Sequence, residues 1–314
     1  MLALAAMATR FELVLPEVPR DRAASARLRA VGEAALDELR AVEARWSLFR
    51  RDSFLQHLLA AAPTAPVRLD VDDCELFDAA ARVFRASGGA FDPCVAPAVA
   101  AAGFERPATV HAAVRGTFAD VELDSERGTV RFARAGLALD FGGIAKGHAL
   151  DRAARVLREG GVRAALLHGG TSAVVALGAP ADAAAWSVQL GAAVDAPRLT
   201  LCDQGLALSA SASQRSASGR GHVLDPRAPA RELSVRAAAV RIALADDPAA
   251  LAVADATATA LLVTGAPLPL DACEQHLADG DGAWRSATPT SPTAPRHIHD
   301  ERARARDPLS PTTR

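Results

Sequence analysis

Apolar positions recur along this 314-residue chain with two different periods. Over residues 9–15, Phe11, Leu13 and Leu15 alternate with their neighbours, which predicts a half-buried strand. Over residues 22–46 the period lengthens. Leu28, Val31, Ala35, Leu39, Val42 and Trp46 recur at three and four, which predicts a long amphipathic helix. A second helix follows Val71-Asp72-Asp73, with carboxylates at its N-terminus. It buries Leu76, Ala80, Val83 and Phe84 and stops at Gly88-Gly89.

Short strand patterns dominate the middle of the chain. Residues 121–123, 129–132 and 137–141 read as strands, with Arg127-Gly128 in a turn between the first two. A helix through Leu150, Ala153, Ala154 and Leu157 ends at Gly160-Gly161. Residues 164–167 form a short buried strand running into His168-Gly169-Gly170, and further strands are expected at 173–177, 186–190, 198–201, 206–209 and 235–242. A last helix opens at Asp246-Asp247-Pro248, with Asp as cap and Pro at an early position, and runs to about Thr264-Gly265. There is no internal repeat. Strands outnumber helices and the helices fall in separate places, so the class is α+β with mixed sheets.

Half of the residues are hydrophobic, enough for a sizeable core, and the net charge of −2 offers no nucleic-acid surface. There is no tyrosine and little aromatic content, hence no stacking platform for single strands. Cys74, Cys94, Cys202 and Cys273 lack C-x-x-C spacing and read as small buried hydrophobes in a reducing compartment. The apolar residues 1–7 lack a basic flank and lead straight into a strand pattern, so no signal peptide is expected, and no apolar run could span a bilayer. The expected location is the cytoplasm. From about Gly280 the composition turns to Pro, Ser, Thr and Arg, which cannot bury enough apolar surface to become ordered. The expected organisation is one domain over 1–279 and a disordered tail over 280–314, with His297 and His299 as solvated tail residues rather than ligands.

Only one of the 35 Lys and Arg residues is a lysine. It is Lys146, in the glycine-rich turn Asp140-Phe141-Gly142-Gly143-Ile144-Ala145-Lys146-Gly147-His148. Where arginine serves every other positive position, a lysine points to a need for a compact point charge. A surface lysine beside a turn is the other reading. The turn joins a strand to a helix, a setting that favours phosphate-like anions. Its spacing is neither G-x-x-x-x-G-K-[ST] nor G-x-G-x-x-G, and a tight connection needing small residues would look the same.

Asp255 and Thr259 lie four apart on the last helix, so a carboxylate and a hydroxyl share one face. Hard oxygens of this kind suit Mg²⁺. A Thr bonded back to its own helix, beside an Asp paired with an Arg, would give the same spacing. In Gly221-His222-Val223-Leu224-Asp225-Pro226-Arg227, His222 is either a general base held by the following turn or a histidine at a strand edge. Gly88-Gly89-Ala90-Phe91-Asp92-Pro93 is a second turn with an acid and a fixed φ. Read singly, each segment stays open.

Taken together and in order, these strings resemble the FAD:protein FMN transferase (ApbE) family. The resemblance runs from about Met7 to Gly265. Met7-Ala8-Thr9-Arg10-Phe11 is similar to the family's first strand, and residues 45–53 to its first flavin-side segment. The turns at 89–93 and 142–147, the His222–Arg227 string and the Asp255/Thr259 spacing complete the order. The resemblance implies an ApbE-like fold of largely antiparallel sheets packed with helices. It also implies transfer of the FMN half of FAD, the substrate, onto a Thr or Ser of a target flavoprotein, with Mg²⁺ as cofactor and AMP as leaving group. By this resemblance Asp255, Thr259 and the main-chain oxygen of Ala145 would hold the metal. Met7, Phe49, Ala90, Phe91, Asp92, Gly142 and His148 would line the FAD site, with Lys146 beside the pyrophosphate. His222 would take the proton from the acceptor hydroxyl. Relatives often carry an acid where Ala258 stands here. Two other readings use the same site: an FAD pyrophosphatase yielding FMN and AMP, and a protein that binds FAD without turnover.

Overall fold

The structure, a computed structural model, describes residues 1–110, 116–191, 196–211, 221–244, 247–271, 273–279 and 282–287. Asp246 and the tail from residue 288, with His297 and His299, lie outside the described residues.

The chain opens with strands β1 (Leu2–Ala6) and β2 (Thr9–Val14), then helices α1 (Arg22–Trp46) and α2 (Phe54–Ala61). Strand β3 (Val67–Arg68) precedes α3 (Val71–Ala86) and α4 (Ala96–Ala101), and β4 (Val121–Asp124) pairs with β5 (Thr129–Phe132). Helix α5 (Ala145–Glu159) leads into β6 (Ala165–Gly169), β7 (Ala173–Leu177), β8 (Trp186–Gln189), β9 (Arg198–Leu201) and β10 (Gln204–Ala210). Strand β11 (Ala237–Ala243), helix α6 (Ala250–Thr264), β12 (Cys273–Ala278) and β13 (Trp284–Ser286) complete the order.

An eight-stranded sheet of order β1-β2-β6-β7-β10-β11-β12-β13 forms the centre, and all of its pairings are antiparallel. One face is covered by helices. α6 packs on β10 and β11, α5 packs between α6 and α1, and α3 packs on α6. The other face is covered by the β8–β9 hairpin, which closes a smaller core around Val174, Leu190, Leu201 and Leu206. With both faces covered, β7 is buried at every position. A small sheet, β3-β5-β4, stands apart. The α+β class and the antiparallel pairing expected from the sequence are those observed.

Local chemistry sets the helix ends. Asp21 caps α1 by accepting from the Ala24 amide at 2.8 Å, worth about 1 kcal/mol. Asp70 and Asp73 form a reciprocal capping box, so α3 begins at Val71. Three expectations are corrected. Residues 137–141 form no strand. The segment is apolar and mostly buried, but the Asp140 amide donates to the Pro93 carbonyl rather than into a ladder. Helix α6 starts at Ala250 with no side-chain cap from its own N-terminal neighbour. The Asp247 carboxylate holds the Ala249 amide and pairs with Arg82, and two amides of the first turn, from Leu251 and Ala252, go instead to the carboxylate of Asp151 on α5. Cys202 is exposed, because it sits in the turn between β9 and β10, whereas Cys94 and Cys273 are buried.

Elements that escaped the sequence reading have weak signals. α2 is only eight residues long, about two turns, too short for a three-and-four period to stand out. β12 and β13 carry Glu274, Gln275, His276 and Arg285, yet β12 pairs with β11, and β13 extends the sheet past residue 279. Gln275 is fully buried because its side-chain amide bonds both the amide and the carbonyl of Leu268. Among the described residues no helix is long and apolar enough to cross a membrane.

Candidate active site

A cleft of about 1020 Å³ opens between the start of α5, the middle of α6, the ends of β6, β7 and β10, and the loops at 90–95 and 222–226. This volume lies at the top of the usual range for small-molecule and cofactor sites. Met7, Phe49, Ala90, Phe91, Asp92, Gly142, Lys146, His222, Asp255 and Thr259 all line it. Segments as far apart in sequence as Met7 and Thr259 therefore meet around one cleft.

The floor is fixed by aromatic packing. Phe141 meets Trp46 and Phe77 edge-on, with ring centroids 5.1 and 5.4 Å apart, contacts worth about 0.5–1.5 kcal/mol each. The glycine turn leaves directly from Phe141. The Ile144 and Ala145 amides return to the Phe141 carbonyl at 2.9 and 2.8 Å, and the Gly142 amide goes to Asp140 Oδ1 at 2.8 Å. A Cβ on Gly143 would lie 3.2 Å from Thr259 Oγ1 and 3.4 Å from Phe91, so this position admits glycine with least disturbance. The Gly147 amide donates to Asp255 Oδ2 at 3.0 Å. These amides are therefore committed to internal acceptors rather than forming an open phosphate cradle. The anion at the start of α5 is the chain's own Asp255.

Asp255 is 2 % exposed and has no ion-pair partner within bonding distance among the described residues. Burial pushes its carboxyl up from the ordinary value, while the Lys146 ammonium and the Gly147 amide pull against that shift. Lys146 is half-buried, with Nζ on the Gly142 carbonyl at 3.2 Å, so it faces the cleft instead of standing free on the surface. Thr259 Oγ1 lies 3.1 Å from Ser209 Oγ on β10. The threonine bonded back to its own helix is Thr257, which donates to the Val253 carbonyl. A buried carboxylate and two hydroxyls are a hard-oxygen set, and the burial of Asp255 without a bonded cationic side chain fits a divalent cation. Among the described residues no group of three or more His, Cys, Asp or Glu is gathered as a metal cluster. Ala258 is fully buried in the apolar core and does not line the cleft.

Asp92 caps the turn after Phe91. Its Oδ1 accepts from the Cys94 and Phe118 amides at 2.8 and 3.1 Å, and burial raises its pKa to about 6. His222 also lines the cleft, and the turn after it is tied down as the sequence suggested. Buried Asp225 accepts from Arg227 Nε at 2.8 Å and Nη2 at 2.9 Å, and from Arg231 at 3.3 Å. These bonds hold the Asp225 carboxyl below its ordinary range.

Met7 does not belong to a strand. Met7 and Ala8 form the two-residue β1–β2 turn with φ of 49° and 56°, a left-handed geometry that costs roughly 1–2 kcal/mol for each non-glycine residue. The Met7 amide donates to Glu43 Oε1 at 2.6 Å, which offsets the strain and fixes Met7 at the cleft edge. Phe49 is 60 % exposed at the rim, with the Arg106 guanidinium 5.7 Å from its ring.

Of the twelve expected site residues, Ala145 and His148 are absent from the cleft lining, and His148 is the buried one. It is 1 % exposed, is absent from the cleft wall, and neither ring nitrogen has a protein hydrogen-bond partner. On α5 it points toward the acidic start of α3, and burial, reinforced by the Arg152 charge, lowers its pKa to about 4. The sequence reading missed Arg106 and Asp140. Arg106 pairs with Asp140 at 3.0 Å, and both line the cleft. Asp140 could have been found as the acid just before the glycine pair, whereas Arg106 lies in a loop without periodicity.

The antiparallel sheet, the helical layer and a deep cleft with a buried carboxylate beside a lysine define an α+β protein with a cleft of ligand-binding size. The chain belongs to the ApbE family, whose family model matches residues 7–280. It is 35% identical over 176 residues to the protein of Treponema pallidum named FAD:protein FMN transferase, a match spanning 51% of this chain and 49% of that relative. The chain thus spans about half the length of this curated relative. Its fold is that of the ApbE protein of Thermotoga maritima, with a TM-score of 0.72 at 20% identity over 91% of this chain and 96% of that one. The flavin transferase ApbE of Vibrio cholerae gives a TM-score of 0.70 at 20% identity, again over 91% and 96%.

Proposed function

We propose that this protein transfers the FMN half of FAD onto the hydroxyl of a Thr or Ser in a target flavoprotein and releases AMP, with Mg²⁺ as cofactor. The observation that carries the reading is the meeting of Asp255, Thr259, Lys146 and His222 in the lining of one cleft.

The step balances simply. The acceptor oxygen forms a bond to the FMN phosphorus while the bridging P–O bond to AMP breaks, and AMP leaves with that electron pair. The hydroxyl proton goes to His222, acting as a positioned base worth about 10²–10⁴-fold. A divalent cation at Asp255 and Thr259 would supply charge neutralisation for the phosphoryl oxygens. The chain's own residues do the rest. Lys146 places a positive charge beside the same region, the tied Asp225–Arg227 turn holds His222, and the apolar wall at Phe91 limits water.

The test is incubation with FAD and a Thr-bearing flavoprotein acceptor, with Mg²⁺ or with excess chelator. The expected result is AMP release and an acceptor heavier by one FMN unit, both abolished by the chelator. AMP with an unmodified acceptor would instead assign water as acceptor, and bound FAD without AMP would assign a binding protein.

A further inference from the structure

Asp151 sits on α5, one helical turn beyond Gly147, and its side chain is buried. It has no cationic partner within bonding distance among the described residues. Its two carboxylate oxygens go to α6: Oδ1 accepts from the Leu251 amide at 3.0 Å and Oδ2 from the Ala252 amide at 2.8 Å. α6 has no side-chain cap of its own, so this carboxylate from a neighbouring helix takes the place of one. Four residues earlier on α5, Gly147 touches the same turn. A Cβ there would lie 2.2 Å from the Leu251 carbonyl oxygen, and its amide donates to Asp255 Oδ2.

The two contacts act at different heights along α6. The Asp151 bonds fix the first turn, and the Gly147 bond fixes the next one, where Asp255 lies four residues after Leu251. Sliding or rotation of α6 against α5 would break both. α5 carries Ala145 and Lys146 at its start, and α6 carries Asp255 and Thr259, so the register between the helices sets the spacing of the cation-holding groups.

We propose that Asp151 is a positioning residue that locks α6 in register with α5 and thereby sets cation affinity, an inference that rests on the site assigned above. Asp151→Asn keeps the size but turns an NH₂ group toward one of the two amides. Mn²⁺ binding to the FAD-free protein by calorimetry, and backbone amide exchange, are the readouts. The expected result is a Kd for Mn²⁺ raised about 10–100-fold, with faster exchange at Gly147, Leu251 and Ala252. Leu39→Ala on α1 serves as a control for general destabilisation, and its Kd is expected to stay within about twofold of wild type, since it removes core packing and leaves the Asp151 and Gly147 bonds in place. Asp151→Ser, which keeps one acceptor, replaces Asp151→Asn if the latter does not fold. An unchanged Kd, or an equal rise in Leu39→Ala, overturns the proposal. If wild type binds no Mn²⁺, the functional reading fails, and exchange at Gly147 alone decides the lock: a protected Gly147 amide in the Asp151 variant overturns it.

Discussion

The amide of Gly147 donates to the carboxylate of Asp255 at 3.0 Å, joining two helices across 108 residues of sequence. The bond forms only because Gly147 lacks a side chain, since a Cβ would strike the Leu251 carbonyl carbon and oxygen of the facing helix. One glycine thus sets both the closest approach of α5 and α6 and the direction of the buried carboxylate at the cleft.

Gly147→Ala is expected to push α6 away from α5. Overpacking of this kind costs about 1–3 kcal/mol, here against backbone that cannot rotate aside. Urea unfolding should show that loss, and the Mg²⁺ concentration for half-maximal AMP release should rise. Wild-type values for both would mean that the helices separate without cost.

His222→Ala is expected to lower kcat about 10²–10⁴-fold, the usual worth of a positioned base, with little change in the Kd for FAD. Stopped-flow transfer rates and fluorescence titration of FAD separate the two. A matching loss in both would reassign His222 to binding.

Asp92 is held by two backbone amides in a setting that raises its pKa from 3.8 to about 6. The folded state therefore favours the protonated acid. That contribution is fully present below about pH 4 and is lost as pH rises through 6. Asp92→Asn keeps an oxygen for the Cys94 and Phe118 amides, so at pH 8 it should be more stable than wild type by about 1–3 kcal/mol. At pH 3.5 the two should converge. Equal stability at pH 8 would show that Asp92 ionises there at no cost.

His148 gives the opposite slope. Its pKa falls from 6.5 to about 4 in the fold, with Arg152, Arg155, Asp70 and Asp72 as the facing charges. The unfolded chain takes up the proton first, so His148 costs stability as pH drops from about 6.5 to 4, by roughly 3 kcal/mol in full. His148→Leu should remove that slope while leaving FAD binding intact, because the side chain is absent from the cleft wall. Thermal melts between pH 4 and 7 check the first, and a loss of FAD affinity would return His148 to the site. The two slopes run in opposite directions over nearly the same pH range, so the single variants separate them.

The sequence by itself determined the elements with long or regular periods. α1 runs over the residues its three-and-four spacing predicts, and β7 and β9 match their patterns residue for residue. It also named candidate residues that the fold gathers, because turn glycines, an i, i+4 acid–hydroxyl pair and a His-Val-Leu-Asp-Pro string are local features that survive without coordinates. Ten of its site residues line one cleft for that reason. The tertiary structure alone decided the rest. His148 follows Lys146 by two positions, and a helix turns by about 200° over two residues, so the side chain faces the core instead of the ligand. Residues 137–141 carry a strand-like composition, but the Asp140 amide found the Pro93 carbonyl, and pairing partners are not written in a local pattern. The cap of α6 comes from Asp151, a hundred residues away, because a buried helix start takes any acceptor that packing delivers to it.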